Sequence, residues 1–268
     1  ETIVRGMSKH LIGFTIKSIN LQRKDLRFPI PNSLKNSLSG RKIIEIQRRG
    51  KYIIIYNNFN KLVLLHLGMS GRIKIRPKGS PLEKHDHIII QLNSGKEIVY
   101  NDPRRFGMID CIDKSELSSH RWIKSLGPEP LSRSFNTNYA MNFFSSKSAP
   151  VKNILMDQKF VAGVGNIYAC EALFFSGISP IRPGNTINHK KSKNLVLSVK
   201  KVLSDAINAG GTSIKDYVQT TGEMGYFQQK LSVYGKIGVK CPNCNCKTHI
   251  KKIKQSGRST FFCSKKQI

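Results

Sequence analysis

The chain has 268 residues and carries 45 lysines and arginines against 16 aspartates and glutamates, a formal net charge of +29. Such an excess is costly self-repulsion unless the partner is a polyanion, which points to nucleic acid. No stretch approaches the roughly 20 apolar residues of a membrane span and no signal peptide opens the chain, so a membrane or secreted protein is excluded and a cytoplasmic one expected. Three of the six cysteines crowd into residues 241–246, which suits a metal in a reducing compartment better than a disulfide framework.

In chain order, residues 1 to about 130 read mostly as strands. The runs Ile43-Ile44-Glu45-Ile46, Tyr52-Ile53-Ile54-Ile55, Leu62-Val63-Leu64-Leu65 and His87-Ile88-Ile89-Ile90 are β-branched, aromatic or leucine-rich and are bounded by polar or glycine turns. The breaker Leu126-Gly127-Pro128-Glu129-Pro130 is expected to be a hinge or linker. Beyond it the period lengthens. A helical run is expected from Cys170, just after the Gly163–Ala169 stretch, and Leu195, Val199, Val202 and Ala206 share one face of another helix that stops at Asn208-Ala209-Gly210-Gly211. After Gly225 short strands return around the cysteines. The expected class is α+β, with a β-rich domain at 1–128, a helical domain at 129–225 and a cysteine-bearing β-hairpin at 226–268.

Several groups could carry chemistry. Gly163-Val164-Gly165-Asn166 precedes a helix, and glycines there let a phosphate approach the N–H groups at the helix's positive end; the plain alternative is a turn that starts a helix. Lys51, in Arg48-Arg49-Gly50-Lys51-Tyr52, is either ordinary solvated charge or a strand-edge amine whose pKa is lowered by partial burial and neighbouring arginines. In His66-Leu67-Gly68-Met69-Ser70-Gly71 the glycines push Met69 outward, unless it packs in the core. Asp102-Pro103-Arg104-Arg105-Phe106-Gly107 is a basic-aromatic loop in which Arg104 could fill a vacated base position and Phe106 could wedge a base step. Lys84-His85-Asp86-His87 has metal-like composition, but strand alternation sends its side chains to opposite faces, so it reads as a phosphate-facing strand end. Cys241-Pro242-Asn243-Cys244 with Cys263 has half of a zinc-ribbon spacing; Lys266 stands where a fourth thiolate belongs, so Cys246 could substitute, Lys266 could leave an open, weak site, or the hairpin could fold without metal. Gln255-Ser256-Gly257-Arg258 is expected to be the hairpin tip, with Arg258 presented outward.

Taken together, RRGKY, HLGMSGR, EKHDH, NDPRRFG, LGPEPL, GVGNIYACEALF, AGGTSIKDY, GYFQQKLSVYG and the CPNC…SGRSTFFC hairpin resemble the formamidopyrimidine-DNA glycosylases, in family order across nearly the whole chain. The resemblance implies a β-sandwich with flanking helices, a helix-two-turn-helix domain and a zinc-finger hairpin. It implies a monomeric base-excision repair enzyme that binds double-stranded DNA with oxidised purines or abasic sites and flips the damaged base out of the stack. Met69, Arg104 and Phe106 match the residues that fill the gap. Asn166 matches the asparagine that grips phosphates beside the lesion, and His85, Lys147 and Lys152 match further DNA contacts. Lys51 matches the lysine of the β-elimination step and Arg258 the finger-tip arginine of δ-elimination. One zinc ion would sit on Cys241, Cys244, Cys263 and possibly Cys246.

Three departures qualify those expectations. The family's opening Pro-Glu-Leu-Pro-Glu-Val, whose proline amine is the nucleophile and whose glutamate is the general acid, would fall just before Glu1 and is not among these residues. The chain as it stands is therefore expected to bind DNA without the glycosylase step, and the protein with that segment to excise 8-oxoguanine and formamidopyrimidines. Gly222-Glu223-Met224-Gly225 places an acid in the lesion-recognition loop. The cysteine set is incomplete at Lys266. Two other readings remain: a damaged-DNA binder that has lost catalysis, and a basic zinc-ribbon protein that binds nucleic acid without damage preference.

Overall fold

The structure, a computed structural model, describes residues 1–211, 227–242 and 248–268. The chain divides into two compact units, Glu1–Lys124 with Gly210–Gln228, and Ser125–Ala209 with Gln229–Ile268.

The first unit opens with a helix, α1 (Thr2–Leu11), in a region read mostly as strands. Its signal was present: Val4, Met7 and Leu11 recur at helical spacing and all three are buried. Strand β1 (Ile16–Leu21) and a short helix α2 (Ser33–Leu38) precede β2 (Ile43–Arg49), β3 (Tyr52–Asn57), β4 (Lys61–His66), β5 (Arg72–Pro77), β6 (Asp86–Leu92), β7 (Lys96–Asn101) and β8 (Met108–Asp113). They form two four-stranded sheets, ordered β1-β6-β7-β5 and β2-β3-β4-β8, antiparallel throughout. Ile53, Ile55, Val63 and Leu65 from one sheet cluster with Ile19, Ile88, Ile90 and Ile98 from the other and with α1, so the core lies where two apolar faces meet. Ile54, Leu62 and Leu64 are buried as well, which explains why these strands read as unbroken apolar runs.

The second unit is helical: α3 (Thr137–Ser145), α4 (Val151–Met156), α5 (Asn166–Ser176) and α6 (His189–Asn208), closed by a hairpin of β9 (Lys251–Gln255) and β10 (Arg258–Phe262). Phe135, Phe144, Phe160, Leu173, Leu195 and Val199 form its core. The α6 face read from the sequence, Leu195, Val199, Val202 and Ala206, is buried as expected. The hairpin is part of this unit, since Phe261 and Cys263 pack with Cys170 and Phe174 of α5. The 126–130 segment differs from its reading as a linker. The Gly127 N–H donates to the Gln158 carbonyl at 2.8 Å, the Ala162 N–H to the Pro128 carbonyl at 3.0 Å, and Pro130 is buried. Its prolines and glycine end regular structure, but a glycine is also what allows the tight approach here: a Cβ at 127 would lie 2.4 Å from the Lys159 carbonyl oxygen.

Candidate nucleic-acid interface

In the first unit, two loops project an exposed apolar pair. Met69 is 58% exposed and Phe106 44%, against a core in which comparable side chains are nearly sealed. The loops interlock through glycine. Gly68, at φ 62°, sits so close to the 106–107 backbone that a Cβ would come within 2.5 Å of the Phe106 carbonyl carbon. The Arg104 guanidinium lies 4.8 Å over the Phe106 ring, which joins the two residues read as gap-filling.

Behind them is a residue the sequence reading passed over. Asp102 is fully buried. One carboxylate oxygen accepts from the Ser70 hydroxyl at 2.6 Å, and the other accepts from the Gly107 N–H at 2.8 Å and the Tyr100 hydroxyl at 3.3 Å. Ser70 also accepts from the Arg104 N–H at 3.1 Å. A carboxylate short of water draws donors to itself, and these come from both loops. Asp102 thus fixes the Met69 turn and the Arg104–Phe106 loop to one another. A buried serine beside an exposed methionine, and an aspartate opening a basic loop, were the available signals.

His66 holds the other side of the Met69 turn. Its Nδ1 accepts from the Gly68 N–H at 2.9 Å, so the neutral ring carries its proton on Nε2. Burial, reinforced by the positive charges of Lys51 and Arg27, lowers its pKa to about 4. Lys51 itself is exposed in the two-residue turn between β2 and β3, after Gly50 at φ 57°. Of the two readings of Lys51, its exposure fits the solvated charge. His85 adopts the left-handed backbone at φ 76°, rare for a residue with a Cβ, and its carbonyl accepts from the Asp102 N–H at 3.1 Å. Its neighbours turn inward: Asp86 accepts from Arg76 at 3.0 Å and from Asn101 at 2.7 Å, and His87 meets the Asp102 carbonyl at 2.8 Å.

In the second unit, Asn166 begins α5 after the N-cap Gly165, earlier than the helical run read from Cys170. Its side-chain amide, however, donates to the Ser259 carbonyl at 2.9 Å and to the Tyr234 hydroxyl at 3.4 Å. It therefore ties the helix start to the hairpin, and the donors suited to an anion at this end are the first-turn backbone N–H groups of Asn166 and Ile167. Arg258 is exposed at the hairpin tip, where Ser256 and Gly257 both take positive φ, and it borders a cleft of about 160 Å³ with Asn153, Met156 and Asp157. Lys147 is exposed after α3, its ammonium 5.5 Å from the Phe143 ring centre. Lys152 differs from its expected role. It is fully buried, with Nζ donating to the Thr260 hydroxyl at 2.7 Å. Burial holds its pKa below the lysine range, with the Cys170 thiol opposing and the Arg258 charge adding to the shift. It supports β10 from beneath, because α4 packs against the hairpin instead of leaving Lys152 at the surface.

Glu171 was also missed. It is buried on α5 and accepts N–H bonds from Ser232, Val233 and Tyr234 at 2.7, 2.9 and 2.8 Å. An acid inside the apolar run ACEALFF was its signal.

Of the cysteines, Cys263 is buried and Cys241 packs against the same cluster, so two thiols converge at the hairpin base. The Lys266 ammonium lies 4.3 Å over the Phe174 ring and is committed there, not to a metal. Cys263 donates its N–H to the side chain of Gln267, whose amide donates to the Ile178 carbonyl. Cys244, Cys246 and the Gly222-Glu223-Met224-Gly225 loop lie outside the described residues. Among the described residues no group of three His, Cys, Asp or Glu is placed to hold a metal, and no helix is long and apolar enough to cross a membrane.

Comparison with known proteins agrees with this architecture. The family model for the formamidopyrimidine-DNA glycosylase N-terminal domain matches residues 1–109, and that for the family's H2TH domain matches 126–218. A formamidopyrimidine-DNA glycosylase of Zymomonas mobilis is 45% identical over 98% of this chain and 96% of its own length. One from Ruegeria sp. is 42% identical over 100% and 97%. Among solved structures, a Lactococcus lactis mutant enzyme in complex with DNA containing Fapy-dG aligns with a TM-score of 0.93 at 32% identity, covering 99% of this chain and 97% of that one. The same enzyme with abasic-site DNA gives 0.92 at 32% identity, covering 100% and 97%. The chain belongs to the formamidopyrimidine-DNA glycosylase family.

Proposed function

We propose that this protein is a base-excision repair DNA glycosylase and AP lyase acting in the cytoplasm as a monomer on double-stranded DNA that contains 8-oxoguanine, formamidopyrimidines or abasic sites. The observation that carries the reading is the paired exposure of Met69 and Phe106 on loops locked by a buried aspartate. Large apolar side chains held out on locked loops beside an arginine suit a gap in a base stack. Met69, Arg104 and Phe106 occupy that gap when the damaged base swings out. His85 and Lys51 contact phosphates in the first unit, and Arg258, Lys147 and the start of α5 do so in the second.

Chemically, an amine attacks the sugar C1′ and the base departs with a proton; opening of the sugar ring then leaves C1′ joined to the nitrogen as a Schiff base. Loss of a C2′ proton then expels the 3′ phosphate, with Lys51 assisting. A second elimination expels the 5′ phosphate, with Arg258 placed to protonate it. One zinc ion, held by Cys241, Cys244, Cys246 and Cys263, supplies a structural clamp at the hairpin base when bound. Gel analysis of duplexes carrying one 8-oxoguanine tests the reading. Incision at the lesion, with none in the intact control, is expected of the chain with Pro-Glu-Leu-Pro-Glu-Val joined to Glu1. Equal binding of both duplexes without incision would favour a general nucleic-acid binder.

A further inference from the structure

A second feature of the first unit lies outside the residues assigned above. Trp122, the chain's single tryptophan, stacks with Phe28 at 6.1 Å and 28°, and with Tyr52 at 6.1 Å and 15°. Phe28 is 38% exposed. Two exposed arginines bracket it, Arg27 at 5.8 Å and Arg121 at 5.3 Å from its ring centre, and Arg121 also lies 5.4 Å from the Trp122 ring. Among the described residues neither guanidinium has a carboxylate partner. Both sit near the outer limit of about 6 Å for a cation–π contact, so little is lost when they turn to another anion. The backbone places this group beside the wedge: the Arg27 N–H donates to the Gly107 carbonyl at 3.1 Å, one residue from Phe106.

We propose that Arg27, Phe28, Arg121 and Trp122 form a platform for a DNA strand adjoining the Phe106 wedge, with an unstacked nucleobase against Phe28 and its flanking phosphates on Arg27 and Arg121. The chemistry is that of single-strand binding surfaces, where aromatic faces accept any base and cations follow the backbone. Two guanidiniums with no carboxylate partner among the described residues, beside the exposed Phe28 and the half-buried Trp122, fit a polyanion that carries planar bases. A protein or lipid partner would not use both properties. The proposal rests on the repair reading for its occupant.

The test uses the whole chain and a duplex with one tetrahydrofuran abasic analogue. Trp122 emission should change on saturation, because its ring lies in the platform. The R27A/R121A double variant alters only exposed side chains, and should lower the slope of log affinity against log salt by about two. F28A should weaken binding about tenfold. Unchanged Trp122 emission, together with wild-type slope and affinity within twofold for the double variant, would overturn the platform. Equal affinity of the wild type for intact and abasic duplexes would sink the repair reading alone, since the salt slope still reports the platform.

Discussion

Ser70 and Asp102 carry the most consequence per atom. Ser70→Ala leaves the Asp102 carboxylate one donor short and the Arg104 N–H without its acceptor. Each unsatisfied buried group costs about 1–3 kcal/mol, so a stability loss near 2 kcal/mol is expected in denaturant titration. With Pro-Glu-Leu-Pro-Glu-Val joined to Glu1, excision of 8-oxoguanine by the variant should fall about tenfold. Strand cleavage at a ready-made abasic site should fall less, since no base has to be extruded there. Equal losses on both substrates would show that the network serves stability alone. His66 gives a pH signature. Its pKa is lowered in the folded chain to about 4. The unfolded chain therefore takes up its proton first, and stability is lost as pH falls from about 6.5 towards 4, by up to about 3 kcal/mol. H66N, which keeps an acceptor for the Gly68 N–H, should flatten that limb in urea midpoints measured between pH 7 and 5. These residues show what was legible. Met69, Arg104 and Phe106 could be picked out because exposure of such side chains is written into glycine-flanked motifs. Asp102, His66 and Glu171 hold them or their counterparts in place through contacts distant in sequence, which no local pattern reports.

Among the elements, Asn166 ties α5 to β10, Lys152 ties α4 to β10, and Glu171 of α5 holds the backbone of residues 232–234. The helix start and hairpin tip were readable, because glycine and asparagine chemistry is local. The burial of Lys152 was not, because it depends on α4 meeting β10, 108 positions apart. That placement separates Lys152 from the exposed cations. R258A and K147A should each reduce the salt slope of DNA binding by about one, whereas K152M, which keeps the buried stem, should leave the slope unchanged. A slope change in K152M equal to that of R258A would put its ammonium on a phosphate after all. The hairpin base yields a second expectation. With the Lys266 ammonium over the Phe174 ring, zinc binding is expected to depend on Cys246. Metal analysis should find close to one zinc per parent chain and far less in C246S; equal contents would exclude Cys246.

For the molecule as a whole, charge and motif order together carried the class of partner and the family. The apolar runs carried β2, β3, β4 and β6, while the arrangement in two sheets came from the resemblance, since strand pairing depends on contacts distant in sequence. The first helix lies in a region read mostly as strands although its helical spacing was present, and the 126–130 segment, read as a hinge or linker, packs against residues 158–162 at the start of the second unit. The central claim is that this scaffold supports Schiff-base excision at an extruded purine. Borohydride trapping on a duplex with one 8-oxoguanine tests it most directly, with Pro-Glu-Leu-Pro-Glu-Val joined to Glu1 so that the family's nucleophile is present. A covalent protein–DNA adduct that forms on the lesion duplex and not on its undamaged control is the predicted result. Tight lesion binding with no adduct would contradict the account and leave a damaged-DNA binder in its place.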